Sequence, residues 1–157
     1  MKKIGLTIGK YAPFHKGHEL LIQTALKEMD ELYILIYETD LINIPIEKRA
    51  EWIKQIYPET KIYYAENPPK QIGMDNESIK IQIDYIKEKT KEIGNPKITH
   101  FYSSETYGEY VAKELNIQNR IVDLERKKVP IKASTIRKNP IENEKYLNQI
   151  VFKEIEK

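Results

Sequence analysis

Cysteine is missing altogether from the 157 residues, and histidine is scarce at three. The first absence removes disulfide frameworks, thiolate zinc sites and thiol nucleophiles together, so any chemistry rests on other side chains. Tryptophan (one) and glycine (six) are also few. Neither sign of charge dominates: 26 basic residues against 24 acidic leave +2, well short of the basic excess of a duplex-binding protein. No nucleic-acid partner is expected. No apolar run approaches the roughly 20 residues of a membrane span, and no cationic stretch followed by an apolar one opens the chain. The expectation is a cytoplasmic protein without a membrane partner. A chain of this length forms one domain, 1–157, with a core that needs neither metal nor disulfide.

What is present alternates. Lys3–Gly9 is a short β-branched run ended by glycine, and Leu20, Leu21, Ala25, Leu26 and Met29 follow at helical spacing. Leu32–Tyr37 (LYILIY) is continuously apolar, as a strand covered on both faces should be. Ile46–Ile56 has helical spacing, Lys61–Ala65 reads as a strand, and Ile79, Ile83, Ile86 and Ile93 make a helix face closed by Gly94 and Pro96. Strand Ile98–Tyr102, helix Tyr107–Leu115, strand Arg120–Leu124 and a helical stretch from about Ser134 complete the chain. Five strands alternating with helices predict a Rossmann-like, doubly wound parallel α/β sheet. Glu66–Ser78 is the longest turn-rich segment and reads as a loop.

In such a sheet, ligands bind beyond the carboxyl ends of the strands, where the strand order reverses. The first strand leads there into HKGH, with His15 and His18 around Gly17. A helix N-terminus offers unpaired N–H groups and about half a positive charge, which suits phosphate. Imidazoles add donors, Lys10 adds charge, Pro13 and Phe14 stiffen the path, and Gly17 lets main chain approach a ligand. A P-loop does not fit, because only three residues separate Gly5 from Gly9 and Tyr11 stands where the metal-binding hydroxyl belongs. Three histidines and six glycines make a chance HxGH rare; the bland alternative is a pair of turn histidines.

A second segment, Glu125–Pro140 (ERKKVPIKASTIRKNP), follows the fifth strand. It sets Lys132, Ser134, Thr135 and Arg137 where a helix should begin. Hydroxyls there cap the helix or bind phosphate, and an arginine one turn on can fork onto phosphate oxygens.

GKYAPFHKGH resembles the GxFxPxHxGH signature of the nucleotidyltransferase superfamily, and PIKASTIR resembles its ISxTxxR signature. Through IEKRAEWIKQIYPE, FYSSETYGEYVAKEL and VDLERKKVPIKASTIRKNP the chain is most similar to the NadR-type nicotinamide-mononucleotide (NMN) adenylyltransferase domain. The resemblance implies a sheet in the order 3-2-1-4-5 and transfer of AMP from ATP to NMN, releasing pyrophosphate. It implies that His15 and His18 hold the triphosphate, His18 at the α-phosphate, that Lys10 bridges the reacting phosphates, and that Ser134 and Arg137 hold the β- and γ-phosphates. Gly9, Tyr11, Pro13, Phe14, Gly17, Ser103, Glu105, Arg126 and Thr135 would line the nucleotide pocket. Mg²⁺ would ride on the triphosphate, without a protein cage. Lys132 and Ala133 replace small hydroxyl residues of the second signature, and Asp75–Ile81 lacks the tryptophan that the NadR type commonly carries.

Arg49 reads as exposed helix charge or a phosphate ligand, Trp52 as a partly buried helix residue, His100 as core, and Ser104 with Glu105 as capping residues. Three functions stay open: NMN adenylyltransferase; another nucleotidyltransferase using ATP or CTP and a different phosphate acceptor; and a non-catalytic nucleotide-binding module. Monomer and homo-oligomer both remain open.

Overall fold

The structure, a computed structural model, describes residues 1–70 and 73–155. Strands β1 (Ile4–Gly9), β2 (Glu31–Tyr37), β3 (Lys61–Ala65), β4 (His100–Ser103) and β5 (Gln118–Ile121) pair in parallel in the order β3-β2-β1-β4-β5. The helices are α1 (Lys16–Glu28), α2 (Ile46–Ile56), α3 (Asn76–Glu92), α4 (Tyr107–Leu115), α5 (Ala133–Lys138) and α6 (Gln149–Ile155), with a 3₁₀ turn at Glu144–Tyr146.

The apolar run of β2 supplies both faces because successive side chains of a strand point oppositely. Leu32, Ile34 and Ile36 join one core with Ile22, Trp52, Ile136 and Val151. Leu35 and Tyr37 join the other with Ile83, Ile86 and Val111. Helices α1, α2, α5 and α6 therefore cover one face and α3 and α4 the other. Thr7 Oγ1 donates to Tyr102 O at 2.8 Å and ties β1 to β4. The order reverses between these two strands, one connecting back to β2 and the other on to β5.

Three expectations need correction. The fifth strand runs Gln118–Ile121, not Arg120–Leu124, and pairs residue for residue with four-residue β4. As an edge strand it begins on exposed Gln118 and Asn119, so apolar patterning misses its start. Its far end is set by Asp123, whose φ of 55° turns the chain away. The C-terminal stretch is not one helix: α5 stops at Lys138, since Asn139 precedes Pro140 and is steered out of helical geometry. The 66–78 loop ends earlier than expected, at the Asp75 cap of α3, whose carboxylate accepts from Ser78 N at 3.1 Å. Residues 71 and 72 of that loop lie outside the described residues.

Gly108 lets α4 sit close on the sheet. A Cβ there would fall inside contact distance of Ser103 Oγ and 3.1 Å from Asn119 Oδ1. Gly108→Ala is expected to cost about 1–3 kcal/mol, measured by urea unfolding, because α4 must lift from β4 and β5.

Candidate functional site

Beyond the carboxyl ends of β1 and β4 lies a cavity of about 530 Å³. Its walls include Gly9, Lys10, Tyr11, His15, Gly17 and His18 from the first crossover. Ser103, Ser104, Glu105 and Arg126 come from the other side, with Lys132, Ala133, Ser134 and Arg137 from the start of α5. The two signature segments, more than 110 residues apart in sequence, thus face one space. Arg137 Nη1 donates to Ala12 O at 2.7 Å and pins α5 against the β1–α1 turn.

The imidazoles are arranged by the helix they introduce. His15 is the N-cap of α1: its Nδ1 accepts from Gly17 N at 3.0 Å and from His18 N at 3.4 Å. His18 Nδ1 in turn accepts from His15 N at 3.1 Å. This is a capping box with histidine in both side-chain positions, satisfying main-chain donors left over at the helix start. The rings stack with centroids 3.7 Å apart and 22° between planes. Because both Nδ1 atoms accept, each neutral ring carries its proton on Nε2. Burial lowers the His15 pKa to about 4, aided by the Arg126 charge. His18 is also held well below 6.5, by burial first and then by His15 and Arg126. Near neutral pH the pair is uncharged, with two Nε2–H donors.

This geometry changes two readings of HKGH. The N–H groups of Gly17 and His18 do not wait for a phosphate, since His15 takes them. Gly17 makes room for that ring and not for a ligand: a Cβ there would lie 2.8 Å from His15 Cε1 and 3.0 Å from Nδ1.

Charge in the cavity favours an anion. Lys10, Arg126, Lys132 and Arg137 face Glu105 and Asp123. Asp123, which the sequence reading missed, points its carboxylate at Lys127 N, Lys128 N and Val129 N at 2.9 to 3.2 Å. Those bonds hold its pKa below the usual carboxylate value and fix the loop carrying Arg126. Arg126 Nη1 itself donates to Ile131 O at 3.3 Å.

Several candidates sit elsewhere. Pro13 and Phe14 are buried and outside the cavity wall, Phe14 fully in the core with its ring stacked 5.9 Å from His18. Thr135 is exposed and outside the wall; it sits on the solvent side of short α5. Tyr11 reaches the wall, yet 4% exposed it serves mainly as packing between Phe14 and His18. Arg49 is not surface charge: it is 1% exposed and bonded to main-chain oxygens of Lys10, Tyr37 and Ile44. Trp52 is wholly buried in the core beside it. His100 is half-buried at the start of β4, the end away from the cavity, where Nδ1 lies 2.8 Å from Thr99 Oγ1.

A second cavity of about 900 Å³ adjoins the first, sharing Lys10, Tyr37, Glu105 and Tyr107. The sequence reading named neither tyrosine as a site residue. Their hydroxyls are buried without a hydrogen-bond partner among the described residues, and burial pushes that of Tyr107 up to about 12. The only advance signal was Tyr37 ending the apolar run LYILIY and Tyr107 opening the helix after SSET.

The family of the citrate lyase ligase C-terminal domain matches residues 5–131. The trifunctional NAD biosynthesis/regulator protein NadR of Salmonella typhimurium is 27% identical over 164 residues, covering 93% of this chain and 39% of NadR. The chain therefore spans about two fifths of the length of that relative. A NadR protein in complex with NAD and AMP-PNP shares the fold at 21% identity, with a TM-score of 0.68 over 96% of this chain and 46% of that one. A bifunctional NMN adenylyltransferase/ADP-ribose pyrophosphatase from Francisella tularensis, complexed with AMP and a manganese ion, shares it at 20% identity, with a TM-score of 0.56 over 88% and 42%.

The depressed histidine pKa values have a signed consequence. Below pH 6.5 the unfolded chain binds protons that the folded imidazoles refuse, so stability falls as pH drops from 6.5 to about 4. His15 alone accounts for about 3 kcal/mol of that loss. His15→Asn keeps a capping side chain without a titrating ring, and its unfolding free energy over this pH range is expected to decline less steeply, by close to one proton.

Proposed function

The chain belongs to the citrate lyase ligase C-terminal domain family, and from that membership we propose that it is a nucleotidyltransferase moving AMP from ATP to nicotinamide mononucleotide, giving NAD and pyrophosphate. The observation that carries this reading is the single cavity joining the HKGH imidazoles to Lys132, Ser134 and Arg137. The likeness to NadR over 93% of the chain supports the choice of acceptor. Residues 1–157 are read as one nucleotidyltransferase domain.

In this reaction an oxygen of the acceptor's 5′-phosphate forms a bond to the α-phosphorus of ATP, and the bond from that phosphorus to the β-bridging oxygen breaks. The attacking phosphate is already anionic, so neither a protein nucleophile nor a base is needed. The protein contributes position and charge. His18 Nε2–H donates to the α-phosphate as negative charge spreads over its equatorial oxygens, and His15 does the same beside it. Being neutral, the imidazoles act as fixed dipoles and give up no proton. Arg137 and Ser134 hold the departing pyrophosphate, with Arg126 and Lys132 adding field. Lys10 lines both cavities and meets donor and acceptor phosphates where they join.

Magnesium enters as part of the ATP substrate. The triphosphate and water would supply its ligands, as is usual for this ion.

The second cavity takes the acceptor. One observation favours an alternative acceptor: Asp75–Ile81 carries no aromatic side chain, leaving Tyr37 and Tyr107 as the rings at this cavity. A different phosphate-terminated acceptor is then the second reading.

Pyrophosphate release, measured with ATP or CTP against NMN, nicotinate mononucleotide and phosphopantetheine, decides between them. ATP with NMN is expected to be the fastest pair, and faster release with another acceptor would reassign the substrate. His18→Ala is expected to lower kcat by about 10² to 10³ with an unchanged circular-dichroism spectrum. Tight ATP binding without release under every acceptor would leave a binding module instead.

A further inference from the structure

The last paired rung of β1 and β2 is Gly9 with Ile36. One residue further on, the strands part: Tyr11 adopts a φ of 50°, and Lys10 and Tyr37 become wall residues of both cavities. A ladder that stops where the strands part leaves carbonyl oxygens without ladder donors; the bond to Tyr37 O is buried and that to Lys10 O part-buried. Arg49, on α2, fills that need: Nη1 donates to Lys10 O and, at 3.1 Å, to Tyr37 O, while Nε donates to Ile44 O at 3.2 Å.

A buried guanidinium is a costly way to satisfy carbonyls. Arg49 is 1% exposed and makes no salt bridge among the described residues. Next to Trp52 and Ile53 on the same helix, an apolar residue would suit the surrounding core, but it would take the donor from both carbonyls where the strands separate, leaving buried Tyr37 O unsatisfied. Nη1 alone bonds both carbonyls, and Nε, bonded to Ile44 O, fixes the direction of the planar guanidinium, an anchor that a lysine lacks.

We propose that Arg49 is a positioning residue: it replaces the missing rung between β1 and β2, holds them open at a fixed separation, and so sets Lys10 and Tyr37 where the two cavities meet. It touches no substrate. Its effect on transfer passes through the Lys10 main chain, and that part rests on the adenylyltransferase reading above.

The test compares Arg49→Gln, Arg49→Lys and a control on the same helix, Trp52→Phe or Ile53→Ala, whichever best matches the loss in Tm of Arg49→Gln. All are assayed well below their Tm, for kcat with ATP and NMN and for calorimetric affinity toward Mg–AMP-PNP. Arg49→Gln is expected to lose about 10² in kcat and about tenfold in AMP-PNP affinity, while the control stays within about twofold in both. Arg49→Lys keeps the charge but loses the Nε bond to Ile44 O that fixes the direction of the donor, so its kcat should fall between wild type and Arg49→Gln; it also serves if Arg49→Gln does not fold. Equal losses in Arg49→Gln and the stability-matched control would reduce Arg49 to a core residue and overturn the proposal. Absence of transfer in the wild type would remove the adenylyltransferase reading alone, because the gap in AMP-PNP affinity between Arg49→Gln and the control still decides the clamp.

Discussion

The reciprocal hydrogen bonds between His15 and His18 set the chemistry of the cavity, because each ring spends its Nδ1 lone pair on main-chain N–H groups of the same turn. That choice fixes both tautomers and leaves Nε2–H as the free donor, while burial holds both rings neutral. It also explains the glycine between them, whose missing Cβ admits the His15 ring. A serine or aspartate cap would start the helix equally well. Histidine starts the helix and still has a second donor nitrogen, so under the proposed function folding and binding would share one side chain.

Around this pair the cavity is assembled by fastening loops to strand ends. Arg137 fastens α5 to Ala12, Asp123 fastens the Arg126 loop to itself, and Arg49 fastens the end of β1 to the end of β2. None of these groups needs a ligand to be in place. Flexible cations arranged this way act as preorganised dipoles and charges, which is what transfer between phosphates asks of a protein.

Much of this was legible in advance. The apolar run LYILIY, the helix spacing and the HKGH turn indicated alternating strands and helices in a parallel sheet and the end where a ligand would bind, because periodicity is carried by many residues at once; the order of the strands came from the resemblance to the nucleotidyltransferase superfamily. The edge strand was displaced, since Gln118 and Asn119 have no core to face. Proline at 140 split a helix that apolar spacing alone made continuous. The site was legible as a set of charges and less so as geometry. Arg49 looked like surface charge on a helix, and only the parting of β1 from β2 gives it a buried partner. Tyr37 read as one more apolar strand residue until its strand was seen to end at a cavity. Thr135 and Phe14 belong to signature segments, but short α5 and the core direct them away from the space those segments enclose.

The histidine tautomers test the account most directly. Nitrogen-15 NMR of ring-labelled protein at pH 7 should show both His15 and His18 with bare Nδ1 and protonated Nε2, and Mg–AMP-PNP should shift the Nε2 signals while leaving the Nδ1 signals in the hydrogen-bonded acceptor range. Protonated Nδ1 on either ring, or Nε2 signals indifferent to saturating nucleotide, would contradict it.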